Sequence, residues 1–185
     1  MKNRIIISIF VFIIMTIFIF PENKYFADFS ADLFFPSNRD FSDTYSRSPL
    51  SVKIGGGYKI NEKIRLWGSL SYLSKKGITP VLQESAKYRE FCFIIGTGFK
   101  VDLSNRLYIV LKEGIALLNY KEEALGLENR GNALGFTVGN LFCYSLSDRV
   151  TLFQEISYLY AIDKVEGTNI TMGGFRIGVG CRYGF

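Results

Sequence analysis

From about residue 28 onward the chain alternates apolar residues with polar or small ones. This is the period of a β-strand whose two faces meet different surroundings. The last stretch shows it most plainly. Phe185, Tyr183, Cys181, Val179, Ile177 and Phe175 fall on one face, and Gly184, Arg182, Gly180, Gly178, Arg176 and Gly174 on the other. Leu50, Val52, Ile54, Tyr58 and Ile60 likewise oppose Ser51, Lys53, Gly55, Gly57 and Lys59. Further along, Ile64, Leu66, Leu70 and Tyr72 oppose Arg65, Trp67, Ser69 and Ser71, and Phe91, Phe93, Ile95 and Phe99 oppose Glu90, Cys92, Gly96, Gly98 and Lys100. The same sorting sets Leu134, Phe136, Val138, Phe142 and Tyr144 against Gly135, Thr137, Gly139 and Ser145, and near the start Phe29, Ala31, Leu33 and Phe35 against Asp28, Ser30 and Asp32. Three places break the pattern. Gln154 joins the apolar face of Leu152, Ile156, Tyr158 and Tyr160, with Glu155 opposite, and Asn140 sits among apolar neighbours. Lys112 and Glu113 are adjacent, so one of them must join the apolar face unless a bulge resets the register. The reading adopted puts Lys112 on the polar face and Glu113 near a bulge.

Three short segments punctuate these runs: Ile60-Asn61-Glu62-Lys63-Ile64, Leu103-Ser104-Asn105-Arg106-Leu107 and Leu146-Ser147-Asp148-Arg149-Val150. Asn61, Ser104 and Ser147 are spaced 43 residues apart in both steps. Flanked by alternating runs, each segment reads as a tight hairpin turn. Longer polar stretches at 36–48, 76–86, 121–132 and 163–169 alternate with them. Short turns on one rim and long loops on the other predict eight antiparallel strands near 28–35, 49–60, 64–75, 87–101, 107–120, 133–146, 150–162 and 170–185. A propeller or solenoid would also repeat, but it needs more copies, and blades need turns more often.

An aromatic stripe backed by glycine and arginine suits a small barrel in lipid, with apolar residues outside and polar ones within. The inward set then includes Asp32, Lys53, Lys59, Arg65, Glu90, Lys100, Glu155, Arg176 and Arg182. An eight-stranded barrel has room for side chains and none for a wide channel, so these charges are expected to pair across a plugged lumen. The competing arrangement is a soluble lipocalin-like ligand-binding barrel with the apolar face inside. Its water-facing side would carry few charges for eight strands.

Composition narrows the chemistry. The 185 residues are 48% hydrophobic and 16% aromatic, with 18 glycines, and make one domain. The net charge of +5 is dispersed among acids, so no nucleic-acid partner is expected. Histidine is absent, which removes His-metal sites, Ser-His-Asp triads and Cys-His catalysis. Cys92, Cys143 and Cys181 match no metal spacing and read as packing residues. Glu90 and Glu155 lie on non-adjacent strands with no nucleophile fixed between them, so no catalytic site and no enzyme activity are expected. Lys2 and Arg4 precede the apolar run 5–20, Pro21 ends it, and Ala27 offers a small residue for cleavage. The expectation is a secretory signal at 1–27 and a barrel over 28–185, the uncleaved anchor being the alternative.

The whole of this barrel region resembles the small outer-membrane β-barrel domains related to outer-membrane protein A, outer-membrane protein W and the opacity proteins. The resemblance is carried by Phe34-Phe35-Pro36-Ser37, Gly55-Gly56-Gly57-Tyr58, Ser69-Leu70-Ser71-Tyr72 and the run from Gly173-Gly174 to Tyr183-Gly184-Phe185. It implies an eight-stranded up-and-down transmembrane barrel in the bacterial outer membrane, surrounded by its lipid, with no cofactor. It also implies insertion by the barrel assembly machinery, for which Tyr183 and Phe185 form the C-terminal signal. A monomer is the expected state. With Phe185 as the last residue, the cell-wall tethering role of the family is not expected. Two roles stay open: a structural or surface-interaction protein acting through its extracellular loops, or a narrow barrel passing small hydrophobic solutes. For the first, Arg39, Phe41, Tyr45 and Arg47 are candidate loop contacts.

Overall fold

The three repeated turns close alike, and a side chain at the same point of the repeat closes each. Asn61 Oδ1 accepts the backbone N–H groups of Lys63 (2.9 Å) and Ile64 (2.7 Å). Ser104 Oγ accepts Arg106 (3.4 Å) and Leu107 (3.1 Å), and Ser147 Oγ accepts Arg149 (3.4 Å) and Val150 (3.1 Å). Local side-chain acceptors of this kind bend the backbone without help from tertiary contacts.

The computed structural model describes residues 24–45, 48–165 and 168–185. The described elements are β1 (Tyr25–Pro36), a short helix α1 (Arg39–Tyr45), β2 (Leu50–Lys59), β3 (Ile64–Ile78), β4 (Ser85–Asp102), β5 (Leu107–Ala124), β6 (Leu127–Ser145), β7 (Val150–Val165) and β8 (Thr168–Gly184). The strands pair in chain order, all antiparallel, and β8 returns to β1, closing the barrel. Starting at Asp28, the paired residues run through Gly55, Ser69, Ile94, Ala116, Gly135 and Ala161 to Met172. The β1–β8 register, continued by two residues, sets Met172 level with Asn38, so one circuit gains ten residues. That stagger on eight strands tilts them by about 40° and gives a wall radius of about 8 Å.

The face assignment follows the alternation. Phe29, Ile54 and Ile95 are 57%, 57% and 59% exposed on the outside, while Asp32, Arg176 and Glu90 are 1%, 4% and 3% exposed within. The lipocalin-like arrangement is thereby overturned, because its apolar side chains would have to fill the lumen. Outward aromatics gather towards both ends of the apolar belt. Tyr25, Tyr58, Tyr144 and Tyr183 lie near the tight turns, and Phe35, Tyr72, Phe91, Phe136 and Phe175 near the other rim. Such girdles mark the two interfaces of a membrane barrel.

Three expectations change. First, the wall continues into stretches read as loops: β4 starts at Ser85, β5 reaches Ala124, and β6 resumes at Leu127 after a two-residue turn in which Leu125 and Gly126 have φ of 56° and 72°. Beyond the apolar belt both faces of a strand meet water, so polarity there is no sign of a loop. A ladder of charges holds the hairpin instead, with Lys121 paired to Glu123 (2.7 Å) and Glu128 (2.6 Å), Arg130 to Glu128 (2.5 Å), and Arg89 to Glu123 (3.7 Å). Second, the stretch 36–48 contains α1, whose first turn is capped by Asn38 Oδ1 accepting Asp40 N–H at 2.9 Å. Third, no bulge occurs at Glu113: the β4–β5 and β5–β6 registers run straight through Thr97, Glu113 and Val138, with Lys112 inward and Glu113 outward.

The expected signal falls almost wholly outside the described residues, as does Arg47. At its edge, β1 begins at Tyr25, three residues ahead of the expected strand start. Phe26 is buried in the lumen, and the backbone N–H of Lys59 donates to Lys24 O at 2.7 Å.

Candidate functional site

The lumen is filled in layers. In the middle, Lys53 reaches Glu155 in a short contact and Asp32 Oδ2 at 3.3 Å, while Lys112 Nζ lies 3.4 Å from Glu155 Oε1 and 3.8 Å from the Trp67 ring centroid. Towards the loop rim, Arg176 bonds Glu90 Oε1 (2.8 Å) and Ser71 Oγ (3.0 Å), and the Tyr88 hydroxyl donates to the second Glu90 oxygen at 2.9 Å. Towards the tight turns, Arg182 grips both oxygens of Asp28 at 2.7 Å and stacks 4.1 Å from the centroid of Phe26. Two-pronged pairs of this kind fix geometry as well as charge. The gap left in the middle layer, lined by Lys53, Trp67, Lys112, Glu155 and Arg176, measures about 10 Å³. That is about the room one water needs.

Glycines make this packing possible. Gly178 lies on the inner face opposite Asp32, and a Cβ there would collide with the Asp32 carboxylate. The sequence-derived inward set is thus brought into one column, though not into one network. Asp32, Lys53 and Glu155 form one cluster, Glu90 and Arg176 a second. Arg182 pairs with Asp28, which the inner face contained but the charge set did not. Among the described residues Arg65 meets no acid: its guanidinium lies 5.9 Å from the Phe26 ring and 5.7 Å from that of Tyr108, and its Nε and Nη1 have no hydrogen-bond partner there. Lys59 is half-buried and makes no ion pair among the described residues, and Lys100 pairs at the rim with Asp102 at 2.5 Å. Cys92 and Cys143 are buried and Cys181 is exposed on the outer face, all with free thiols.

Above the Arg176–Glu90 layer the lumen opens into a mouth that α1 folds over. Phe41 packs edge-on against Tyr88 (4.8 Å between centroids) and Tyr45 lies 4.9 Å from Phe41. The Tyr45 hydroxyl donates to Glu122 Oε1 at 2.5 Å, and the Tyr120 hydroxyl to Asp163 Oδ2 at 2.6 Å. Burial, followed by the Glu122 carboxylate, pushes the Tyr45 phenol well above the ordinary tyrosine range, so it stays protonated. Beneath this cap is a cavity of about 230 Å³ lined by Phe34, Phe41, Tyr45, Tyr88, Tyr120 and Met172. Phe41 and Tyr45, two of the candidate loop contacts, turn inward as the roof of the mouth; an aromatic side chain beside an apolar lumen gains more from burial than from water. Arg39 stands in solvent, its side chain 92% exposed. Tyr88 and Tyr120 were missed because they lie at the outermost ends of the expected strands 87–101 and 107–120. Extending the parity of Glu90 and Leu118 by two residues would have placed both inside.

At the other end, the Phe185 backbone N–H donates to Tyr25 O at 2.9 Å, and the Tyr183 and Phe185 rings meet edge-on at 5.1 Å. Both residues of the expected insertion signal thus sit at the aromatic edge of the β1–β8 seam.

No family model and no curated protein matches the chain. Solved structures do. The chain is similar to Neisserial surface protein A at 16% identity and a TM-score of 0.66, over 87% of this chain and 97% of that one. It is also similar to Ail, the attachment invasion locus protein of Yersinia pestis, at 14% identity and a TM-score of 0.57, over 88% and 99%. A third is the N-terminal β-barrel domain of Pseudomonas aeruginosa OprF, at 13% identity and 0.57, over 89% and 98%. The chain has the fold of the small eight-stranded outer-membrane β-barrels.

Proposed function

We propose that this protein is an integral barrel of the bacterial outer membrane, closed to ions and solutes, that acts at the cell surface through the structure it raises above the bilayer. One contrast carries the reading. The lumen narrows to about 10 Å³ among paired charges, whereas the walls of β3–β6 continue roughly 15 Å past the apolar belt as a charged sheet. Material invested above the membrane with none invested in a pore suits contact rather than passage. The outer-membrane location is supported by the aromatic girdles, by the secretory signal expected at the N-terminus, and by the fold shared with outer-membrane proteins. Tyr183 and Phe185 would then present the last strand to the barrel assembly machinery. The β5–β6 hairpin and the exposed face of α1, including Arg39, are the contact surfaces.

A second reading, transfer of a small hydrophobic solute, is favoured by the aromatic cavity under α1. In that case a solute would enter a pocket whose floor is the Arg176–Glu90 pair.

The test replaces 121–128 with a short Gly-Ser turn and separately Arg39 and Asp43 with Ser. Binding of expressing cells to host-cell, lipid and matrix surfaces should fall while the heat-shift of the folded barrel on gels is kept. Solute uptake that depends on the protein and survives both replacements would instead favour transfer.

A further inference from the structure

The outer wall is not uniformly apolar. Thr97 on β4, Glu113 on β5, Asn140 on β6 and Gln154 on β7 face outward, one on each of four consecutive strands. Thr97 donates its hydroxyl to Glu113 Oε1 at 3.1 Å. Asn140 is part-buried, its Oδ1 tucked against the wall with no hydrogen-bond partner among the described residues, so a side-chain rotation is needed to present it outward.

Residues paired across a tilted ladder do not lie at one depth. The ten-residue stagger shared by eight strands displaces level positions by a little over one residue per strand. Correcting each step for this brings the four side chains within about 4 Å of a common depth. That depth is the middle of the belt. On β5, Ile109 and Leu111 lie to one side of Glu113 and Ile115 and Leu117 to the other; on β6, Val138 and Phe142 flank Asn140. Beside Glu113 the wall is hollowed by an open recess of about 520 Å³, floored by the backbone at Gly96 and Gly114.

Polar groups at mid-bilayer are unfavourable in lipid, which offers them no donor or acceptor, and they mark function by default. At the same depth β1 and β2 present Phe29 and Gly56, so the polar stripe belongs to one side of the barrel. We propose that the outer faces of β5, β6 and β7 form a two-fold interface with a second copy of this chain inside the membrane. A rotation about the membrane normal preserves depth, so a level stripe meets itself. With the axis facing β6, Asn140 meets Asn140 of the second copy, and Glu113 on β5 lies across from Gln154 on β7 of the second copy. The glutamine amide supplies N–H donors to the carboxylate beyond the one hydroxyl that Thr97 gives it. The contact occurs twice, once on each side of the axis. The interface rests on the barrel being in the membrane, and it replaces the monomer expected from sequence.

Cross-linking tests it in whole membranes. Cys181→Ser removes the exposed thiol, leaving Cys92 and Cys143 buried. In that background Val138→Cys places a thiol on outer β6, and Ile54→Cys one on the far wall. Oxidation should join Val138→Cys barrels into dimers and leave Ile54→Cys barrels single. Adding Glu113→Leu, Asn140→Leu and Gln154→Leu should lower the dimer fraction about tenfold or more, with the heat-shift intact. Should the triple change spoil folding, Glu113→Leu alone carries the comparison, since it only adds apolar surface facing lipid. Equal cross-linking at both thiols, indifference to the stripe, or capture of Val138→Cys by a different protein alone would overturn the proposal. Failure of the parent protein to fractionate with membranes would strike the membrane reading itself, and the interface with it.

Discussion

Arg176 illustrates what a single inward charge does. It is 4% exposed and bonded to Glu90 and Ser71, so Arg176→Glu leaves two buried acids facing each other. Breaking one partner of a buried pair costs about 3–5 kcal/mol. Arg176→Glu should cost at least that in urea unfolding from lipid vesicles, and Arg176→Met with Glu90→Leu should cost much less than either change alone. On the opposite parity, Ile177→Arg puts a cation into lipid near mid-belt and should cost about 2–4 kcal/mol. A harmless Ile177→Arg would mean that the faces are inverted. Residue parity was the most legible property of the sequence, because a period of two sorts every side chain without knowledge of its partner. Which charges pair was not legible. Lys53 meets Glu155 from 102 residues away, across a lumen whose stagger depends on closure of the whole wall.

At the scale of elements, the repeated turns could be read directly because their closing bonds are local. The helix α1 and the two-residue β5–β6 turn could not. α1 exists because Phe41 and Tyr45 find an aromatic mouth to cover, a tertiary gain that leaves no mark on seven residues of sequence. Tyr45 gives it a pH dependence. Its folded-state pKa is raised well above the unfolded value, so its contribution is fully present below the ordinary tyrosine pKa of about 10 and declines progressively as pH rises from there through the folded value. A spin label at Asp43→Cys in a Cys181→Ser background should therefore gain mobility progressively as pH rises above about 10, and Tyr45→Phe should weaken that dependence without removing it, because the pKa values of the Tyr88 and Tyr120 phenols of the same mouth are raised as well. β1 carries a separate consequence. Phe26 lies between Arg182 and Arg65, and the strand begins at Tyr25. Cleavage after Ala27 would remove these contacts, so N-terminal sequencing of the outer-membrane form should find residues 25–27 retained. Phe26→Ala should destabilise the barrel by about 3 kcal/mol or more. A mature chain starting at Asp28 with full stability would contradict the role given to Phe26.

For the whole molecule, strand number, connection order and sidedness followed from alternation and turn spacing, and the solved barrels it resembles share the fold at 13–16% identity. The depth of the polar stripe was visible in part as misfits at Glu113, Asn140 and Gln154. Their common level appears only once the ten-residue stagger is known. The molecule that results is a closed column of paired charges in an apolar sleeve, carrying a charged sheet and an aromatic mouth at one end. The paired charges close the lumen. Purified protein, folded by heat-shift and reconstituted in planar bilayers, should give no steady and reproducible single-channel conductance in molar potassium chloride. Removing the middle layer with Lys53→Ser, Lys112→Ser and Glu155→Ser in barrels that stay folded should open one. A stable conductance from the unmodified protein, unchanged by those three substitutions, would contradict the account.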